Sequence, residues 1–170
     1  MKILLLTSAL LSFCVLTSCE TATKTVLYET GEFEFVLSAP LFAGANTAQV
    51  TYVPDFQAML AESGATPEDL HKVRLQEATF SSSDSIPFMG WEGMVLQLVS
   101  DKSPMVNAAV LNPLPANQQK ITLSGSPEAD ITQILKDGSC YVVVDVNLTD
   151  DVMEDVTFRG TLTLALEVKE

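Results

Sequence analysis

Residues 32–37 alternate acid with apolar side chain, Glu32, Phe33, Glu34, Phe35, a period of two that fits a strand with one face buried and the other wet. Phe33 and Phe35 are expected to point inward. The same period predicts a short first strand at 26–28 and a weaker one at 48–53, reached through Pro40 and a turn at 44–46. A further strand is predicted at 73–80, where the apolar positions 73 and 75 give way to 80 and a bulge near Glu77 would absorb the change of phase. Met94, Leu96 and Leu98 alternate against Val95 and Val99, so 91–99 reads as a core strand, covered on both faces or central in its sheet. Strands at 105–111 and from 120 to 123 follow, and 81–85 reads as a surface loop without apolar content. The two longest alternating runs, 141–148 and 156–168, are expected to form a C-terminal hairpin across the acidic turn 149–155.

Helical signals are short and fall between strands. Asp55 after Pro54 fits an N-cap, Phe56, Met59 and Leu60 share a helical face, and Gly64 supplies a left-handed stop. Thr66-Pro67-Glu68-Asp69 has the cap, proline and acid of a second helix start, ending near Lys72. Residues 130–138 read as one or two helical turns closed by Gly138, with Ile131, Ile134 and Leu135 toward the sheet. Seven to nine short strands, with helices confined to crossovers, predict a mainly β fold: an antiparallel two-sheet sandwich with two or three short helices. Residues 26–170 are expected to form a single domain, large enough to bury a core without covalent staples.

The N-terminus follows a different pattern. Lys2 precedes an apolar run from Ile3 to Val15, too short to span a bilayer at the roughly 20 residues a transmembrane helix needs, and typical of a secretory signal. The junction Leu16-Thr17-Ser18-Cys19 resembles the bacterial lipobox, in which the cysteine thiol receives diacylglycerol and the chain is cut before it. The resemblance implies that 1–18 is a lipoprotein signal peptide, that Cys19 is lipidated, and that 19–25 is a tether to the membrane. Two or more acyl chains hold a protein stably, at about 0.8 kcal/mol per buried methylene. Glu20 stands where the family's inner-membrane retention signal has aspartate, so the resemblance implies the outer membrane, with the face left open.

Once Lys2 has left with the signal, 22 acidic residues face 8 basic ones. That excess excludes a nucleic-acid partner, whose phosphates need Lys and Arg, and excludes electrostatic docking on anionic lipid. It serves solubility, or recognition of a basic partner. Cys140 is the one cysteine left for the body, so no internal disulfide is expected, and its place at the head of an apolar run reads as a small core residue. His71 is the only histidine, and no Gly-x-Ser-x-Gly elbow accompanies it. No residues are assigned a catalytic role, an enzyme is not expected, and no cofactor is called for.

Three candidate sites remain, each beside a structural reading. Trp91 and Phe88, with Tyr28 and Tyr52, stack on sugar rings if exposed and fill the core if not. Asp150, Asp151, Glu154 and Asp155 offer the oxygens a Ca²⁺ ion prefers, although the turn lacks an EF-hand loop, and they equally suit a solvated turn. Asp84-Ser85-Ile86 resembles the three-residue O-glycosylation sequon of gut bacteria, which would place a glycan on Ser85.

A lipobox followed by strand, helical crossover, strands, short helix and closing hairpin resembles the small immunoglobulin-like lipoproteins of unknown function from anaerobic gut Gram-negative bacteria. The resemblance implies an envelope location and a binding or structural role: recognition of a glycan, peptide or envelope protein, or assembly into an outer-membrane complex or surface polymer.

Overall fold

The computed structural model describes residues 22–82 and 88–169. Nine strands and two five-residue helices follow one another: β1 Thr23–Glu29, β2 Phe33–Leu37, β3 Gly44–Tyr52, α1 Phe56–Leu60, β4 Leu70–Ser82, β5 Trp91–Val99, β6 Val106–Leu111, β7 Lys120–Ser124, α2 Thr132–Lys136, β8 Cys140–Leu148 and β9 Val156–Lys169. All strand pairs are antiparallel, and they form two sheets. One sheet has the order β1-β9-β4-β7, with β2 beside the first half of β9 and β1 beside the second; the other has the order β3-β8-β5-β6. The mainly β, two-sheet sandwich expected from the alternation is therefore present.

From β2 onward consecutive strands lie in different sheets, the one exception being the β5–β6 pair. Eight strands wound in this way form a jelly roll. An immunoglobulin sandwich instead keeps its last two strands together in one sheet, so the strand order departs from the resemblance. The C-terminal hairpin is absent for the same reason. β8 has β3 and β5 on its two edges, and β9 has β1, β2 and β4 on its own, so neither has hydrogen-bonding edges left for the other. Residues 149–155 carry the chain from one sheet to the next.

Local signals set the rest. Asp55 caps α1, its Oδ1 accepting from the Gln57 and Ala58 amides at 3.0 and 3.1 Å, and Gly64 closes the turn at φ +69°. Thr66 to Asp69 makes only a turn: the Asp69 carboxylate reaches back to the Thr66 amide and hydroxyl at 2.9 and 2.7 Å, but β4 begins at once. His71 accordingly sits on a strand, exposed, and not on a helix. The bulge near Glu77 is observed as a register shift between Leu75 and Glu77. Pairing with β9 also recruits positions with no apolar signal. Thr23 to Thr25 join β1, moving the domain boundary from residue 26 to 23, while Ser81 and Ser82 belong to β4 and not to a loop. Gly44, at φ +103°, starts β3, so 44–46 is strand and not turn.

The core lies between the sheets. Alternate residues of β8 (Val142, Val144, Val146) face Leu162, Leu164 and Leu166 of β9, all buried, and Ile134 and Leu135 of α2, with Ile131 just before it, close one end. The other end is filled by rings. Phe35 stacks on Phe158 at 5.1 Å, Phe80 meets both edge-on at 5.9 Å, and Trp91 meets Phe158 at 5.4 Å.

α2 is tied to the 100–103 turn through Asp137, whose carboxylate accepts from the Ser100 and Ser103 hydroxyls and from Gln133. The Ser100 and Ser103 hydrogen bonds, with that of Gln133, hold the Asp137 carboxyl below its ordinary 3.8. A lowered folded pKa means the contribution is complete above the unfolded value and is lost as pH falls through the folded one. Asp137→Asn is expected to be less stable than wild type at neutral pH, with the gap closing in denaturant titrations carried below pH 3.8. A gap that stays constant with pH would contradict the role of the charge.

Candidate functional site

Jelly-roll winding gathers four connections at one end of the sandwich: 38–43, 88–90, 112–119 and 149–155. Backbone bonds tie them together. Leu41 and Val152 exchange two hydrogen bonds of 2.9 Å, the Thr149 amide donates to the Gly90 carbonyl at 2.8 Å, and Phe88 and Leu114 amides donate to Gln118 and Glu92 carbonyls at 2.9 and 2.7 Å. The aromatic cluster lies directly beneath, since Phe158, Trp91 and Phe35 sit in the loop-end portions of β9, β5 and β2.

Trp91 and Phe88 belong to that base. They are 8% and 4% exposed, with their rings 4.8 Å apart. Stacking on a sugar needs an open ring face, and these rings are buried in the core. Of the two readings of this pair, a sugar platform or core packing, the burial agrees with the core. Tyr52 is half-buried, 5.5 Å from Phe33 and edge-on to it.

The four acids of the 149–155 connection do not converge either. Asp155 Oδ1 accepts from the Ala39 amide and Asp151 Oδ1 from the Ala43 amide, both at 2.8 Å, while Asp150 accepts from the Thr149 hydroxyl at 2.7 Å. Two of the carboxylates are thus spent on clasping the 38–43 loop, where they satisfy amides that no strand partner reaches. Among the described residues no three His, Cys, Asp or Glu side chains are grouped to hold a metal ion. Ser85 and Cys19 lie outside the described residues.

Among the described residues, Cys140 and His71 lie in different sheets. Cys140 is fully buried in the β3-β8-β5-β6 sheet, and burial pushes its thiol up to about 11, so it is a neutral core residue at physiological pH. His71 is exposed on the other sheet.

What the loop end does expose is apolar. Met89 and Met153 are each 66% exposed and Phe42 62%, on three of the four loops, beside the exposed acids Asp150 and Glu154. These three are the large apolar side chains that the described loops of this end hold in water. The sequence carried one sign of it, a methionine inside a run of acids at 151–155, which a reading of charge alone passes over. Among the described residues no helix is long and apolar enough to cross a membrane.

No family model matches the chain, and no curated protein does. Solved structures do. A decameric BFDV capsid protein matches at 12% identity over 88% of this chain and 100% of its own, with a TM-score of 0.43. A structure describing carbohydrate-binding modules of the β-sandwich superfamily matches at 12% identity over 86% of this chain and 56% of its own, with a TM-score of 0.32. Desmodium yellow mottle tymovirus matches at 11% identity over 99% and 96%, with a TM-score of 0.30. The strand pairing itself assigns the chain to the two-sheet antiparallel β-sandwiches.

Proposed function

We propose that this chain is a cell-envelope lipoprotein, anchored through Cys19, whose sandwich is a non-catalytic binding domain that meets a glycan, peptide or envelope protein at its four-loop end. The observation that carries this reading is an opposition of ends. β1 is antiparallel to β9, with Thr23 opposite Lys169, so the chain enters the domain at the end away from 149–155. β9 has 14 residues, and at about 3.3 Å per residue it separates the two ends by roughly 45 Å. Only Glu20 to Ala22 lie between Cys19 and β1, a reach of about 11 Å. A lipid on Cys19 therefore sets the domain upright on the bilayer, with Phe42, Met89 and Met153 at the far tip.

The tip is expected to carry the binding. Full-length wild type and the Met89→Ser, Met153→Ser double variant would be compared on a carbohydrate array and in capture from native envelopes. Both methionines are exposed, so the fold should be unaffected, and the partner's apparent affinity should fall at least about tenfold, as expected when apolar contacts at an interface centre are removed. Undiminished binding of every captured species by the variant would exclude the loop end as the binding surface.

The assembly reading has one feature in its favour, the uncharged edge strand β3.

A further inference from the structure

The outer faces of the two sheets differ in charge. That of the five-stranded sheet carries the ion pairs Arg74–Glu167 at 2.6 Å and Arg159–Glu34 at 3.1 Å, with Lys120 two strands from Arg159 in the same row. The four strands of the other sheet hold two acids, Glu92 and Asp145, and no lysine or arginine. Both acids are already engaged: Asp145 Oδ1 accepts from the Thr47 hydroxyl and Glu92 Oε2 from the Asn147 amide, each at 2.5 Å. On this face the register lines up Ala45, Asn147 and Gly93 in one row and Asp145, Val95 and Val110 in the next. With Asn112, just past the end of β6, they line a depression of about 180 Å³. Small residues at 45 and 93 keep it low. A Cβ built on Gly93 would stand 3.3 Å from Asn112 Cγ, so the absent methyl group adds room beside that amide. Val95 is half-buried and Val110 is 58% exposed, which gives the depression an apolar lining. Its polar groups have capacity to spare. Asp145 Oδ2 and Asn147 Oδ1 stand outside the bonds above, and among the described residues the Asn112 side chain has no hydrogen-bond partner.

We propose that this depression binds one ring of an uncharged saccharide. Small-molecule sites combine an apolar lining with a few polar groups that fix orientation, and a sugar ring presents both surfaces they need. Its C–H face suits Ala45, Gly93, Val95 and Val110. Its hydroxyls donate to the free oxygens of Asp145 and Asn147, while the Asn112 amide offers a donor and an acceptor together. Charge selects the class of sugar. An acidic saccharide would bring its carboxylate or sulfate to a sheet without a cation, in a chain of net charge -13. A cationic ligand would lose water over the apolar lining and meet two carboxylates that are already bonded. The volume is below the roughly 300–1,000 Å³ of sites for drug-sized ligands and suits a single ring. The site lies beside the four-loop end but uses none of Phe42, Met89 and Met153, and it does not depend on how the domain is anchored.

The test is titration of the full-length protein, in micelles of a detergent without sugar headgroups, with hexasaccharides of glucose, mannose, galactose and xylose and with the galacturonate hexamer, followed by backbone amide NMR shifts. At least one neutral hexasaccharide is expected to bind, with shifts centred on 93–95, 110–112 and 145–147, and the galacturonate hexamer is not. Val110→Arg, at an exposed position of an edge strand, fills the depression and should weaken binding at least about tenfold with an unchanged near-ultraviolet circular dichroism spectrum, and so should Asn112→Ala. The Met89→Ser, Met153→Ser variant should bind these sugars as wild type does. Failure of every neutral hexasaccharide to bind, tighter binding of the galacturonate hexamer, or full binding by Val110→Arg would overturn the proposal. Sugar binding lost in the methionine variant and kept in Val110→Arg would also overturn it, and would place the sugar at the loop end instead.

Discussion

Phe158→Ala is expected to lower the unfolding free energy by about 3–5 kcal/mol, the cost of deleting a buried ring and leaving a cavity. Phe158 is fully buried and contacts three other rings: parallel to Phe35 at 5.1 Å, edge-on to Phe80 at 5.9 Å and to Trp91 at 5.4 Å. These rings come from β2, β4, β5 and β9, so the cavity would open beneath the loop end and touch both sheets. At roughly 2–4 °C per kcal/mol for a domain of this size, the midpoint should fall by about 6–20 °C, and the loss should be visible as a weakened near-ultraviolet signal from Trp91. Phe158→Leu, which keeps most of the volume, should cost less than half as much. A Phe158→Ala loss below about 1 kcal/mol, read from denaturant titration, would place the ring outside the core's centre.

The second large effect concerns a residue without a side chain. A Cβ built on Gly125 would stand 1.8 Å from the Leu75 carbonyl oxygen and 2.6 Å from its carbonyl carbon. The obstacle is backbone, at the bulge of β4, and the Gly125 amide donates to the Gln76 carbonyl at 3.0 Å there. A flexible side chain could swing away from an added methyl group; this carbonyl is held by the strand. Gly125→Ala is therefore expected to exceed the usual 1–3 kcal/mol for overpacking and to shift hydrogen exchange across both the bulge and the β6–Gly125 bridge. Near-wild-type stability would mean that the 125–127 segment is free to move off the bulge. Gly160 provides a comparison: its added Cβ would meet the Phe80 ring at 2.6 Å, a side chain and not backbone, but one held between Phe35 and Phe158.

These two sites show which parts of the fold were legible in the sequence. Face was readable, because burial alternates with the pleat: Phe35 inward, Glu34 outward, Met94, Leu96 and Leu98 toward the core. Helix ends were readable where a side chain or a positive φ had to be supplied, at Asp55, Gly64 and Gly138. Neighbours were not readable. Alternation along β8 and β9 is the same whether the two strands pair or stand in opposite sheets, and the seven residues between them suit either outcome. The packing of Gly125 on the bulge joins positions 50 residues apart in the chain, with no local signature.

The candidate sites divide in the same way. Hydrophobicity left Trp91 and Phe88 open to a platform beside the favoured core packing, and the contacts with Phe158 and with each other decide for the core. Carboxyl spacing marked Asp151 and Asp155 as oxygen donors. The amides of Ala39 and Ala43, more than a hundred residues earlier, determine what those oxygens do. The absence of charge in 44–52 was visible from the start, yet it acquires meaning only once β3 is known to be an edge.

In the function proposed above, the orientation of the loop end follows from a lipid on Cys19. The most direct measurement is fractionation of wild type and Cys19→Ala in the native host, with envelopes washed in high salt and alkaline carbonate. Wild type is expected to stay entirely with the membrane and Cys19→Ala to move to the soluble fraction with its fold intact. Membrane retention of Cys19→Ala after those washes would contradict the anchor, and with it the placing of Phe42, Met89 and Met153 at the outer tip.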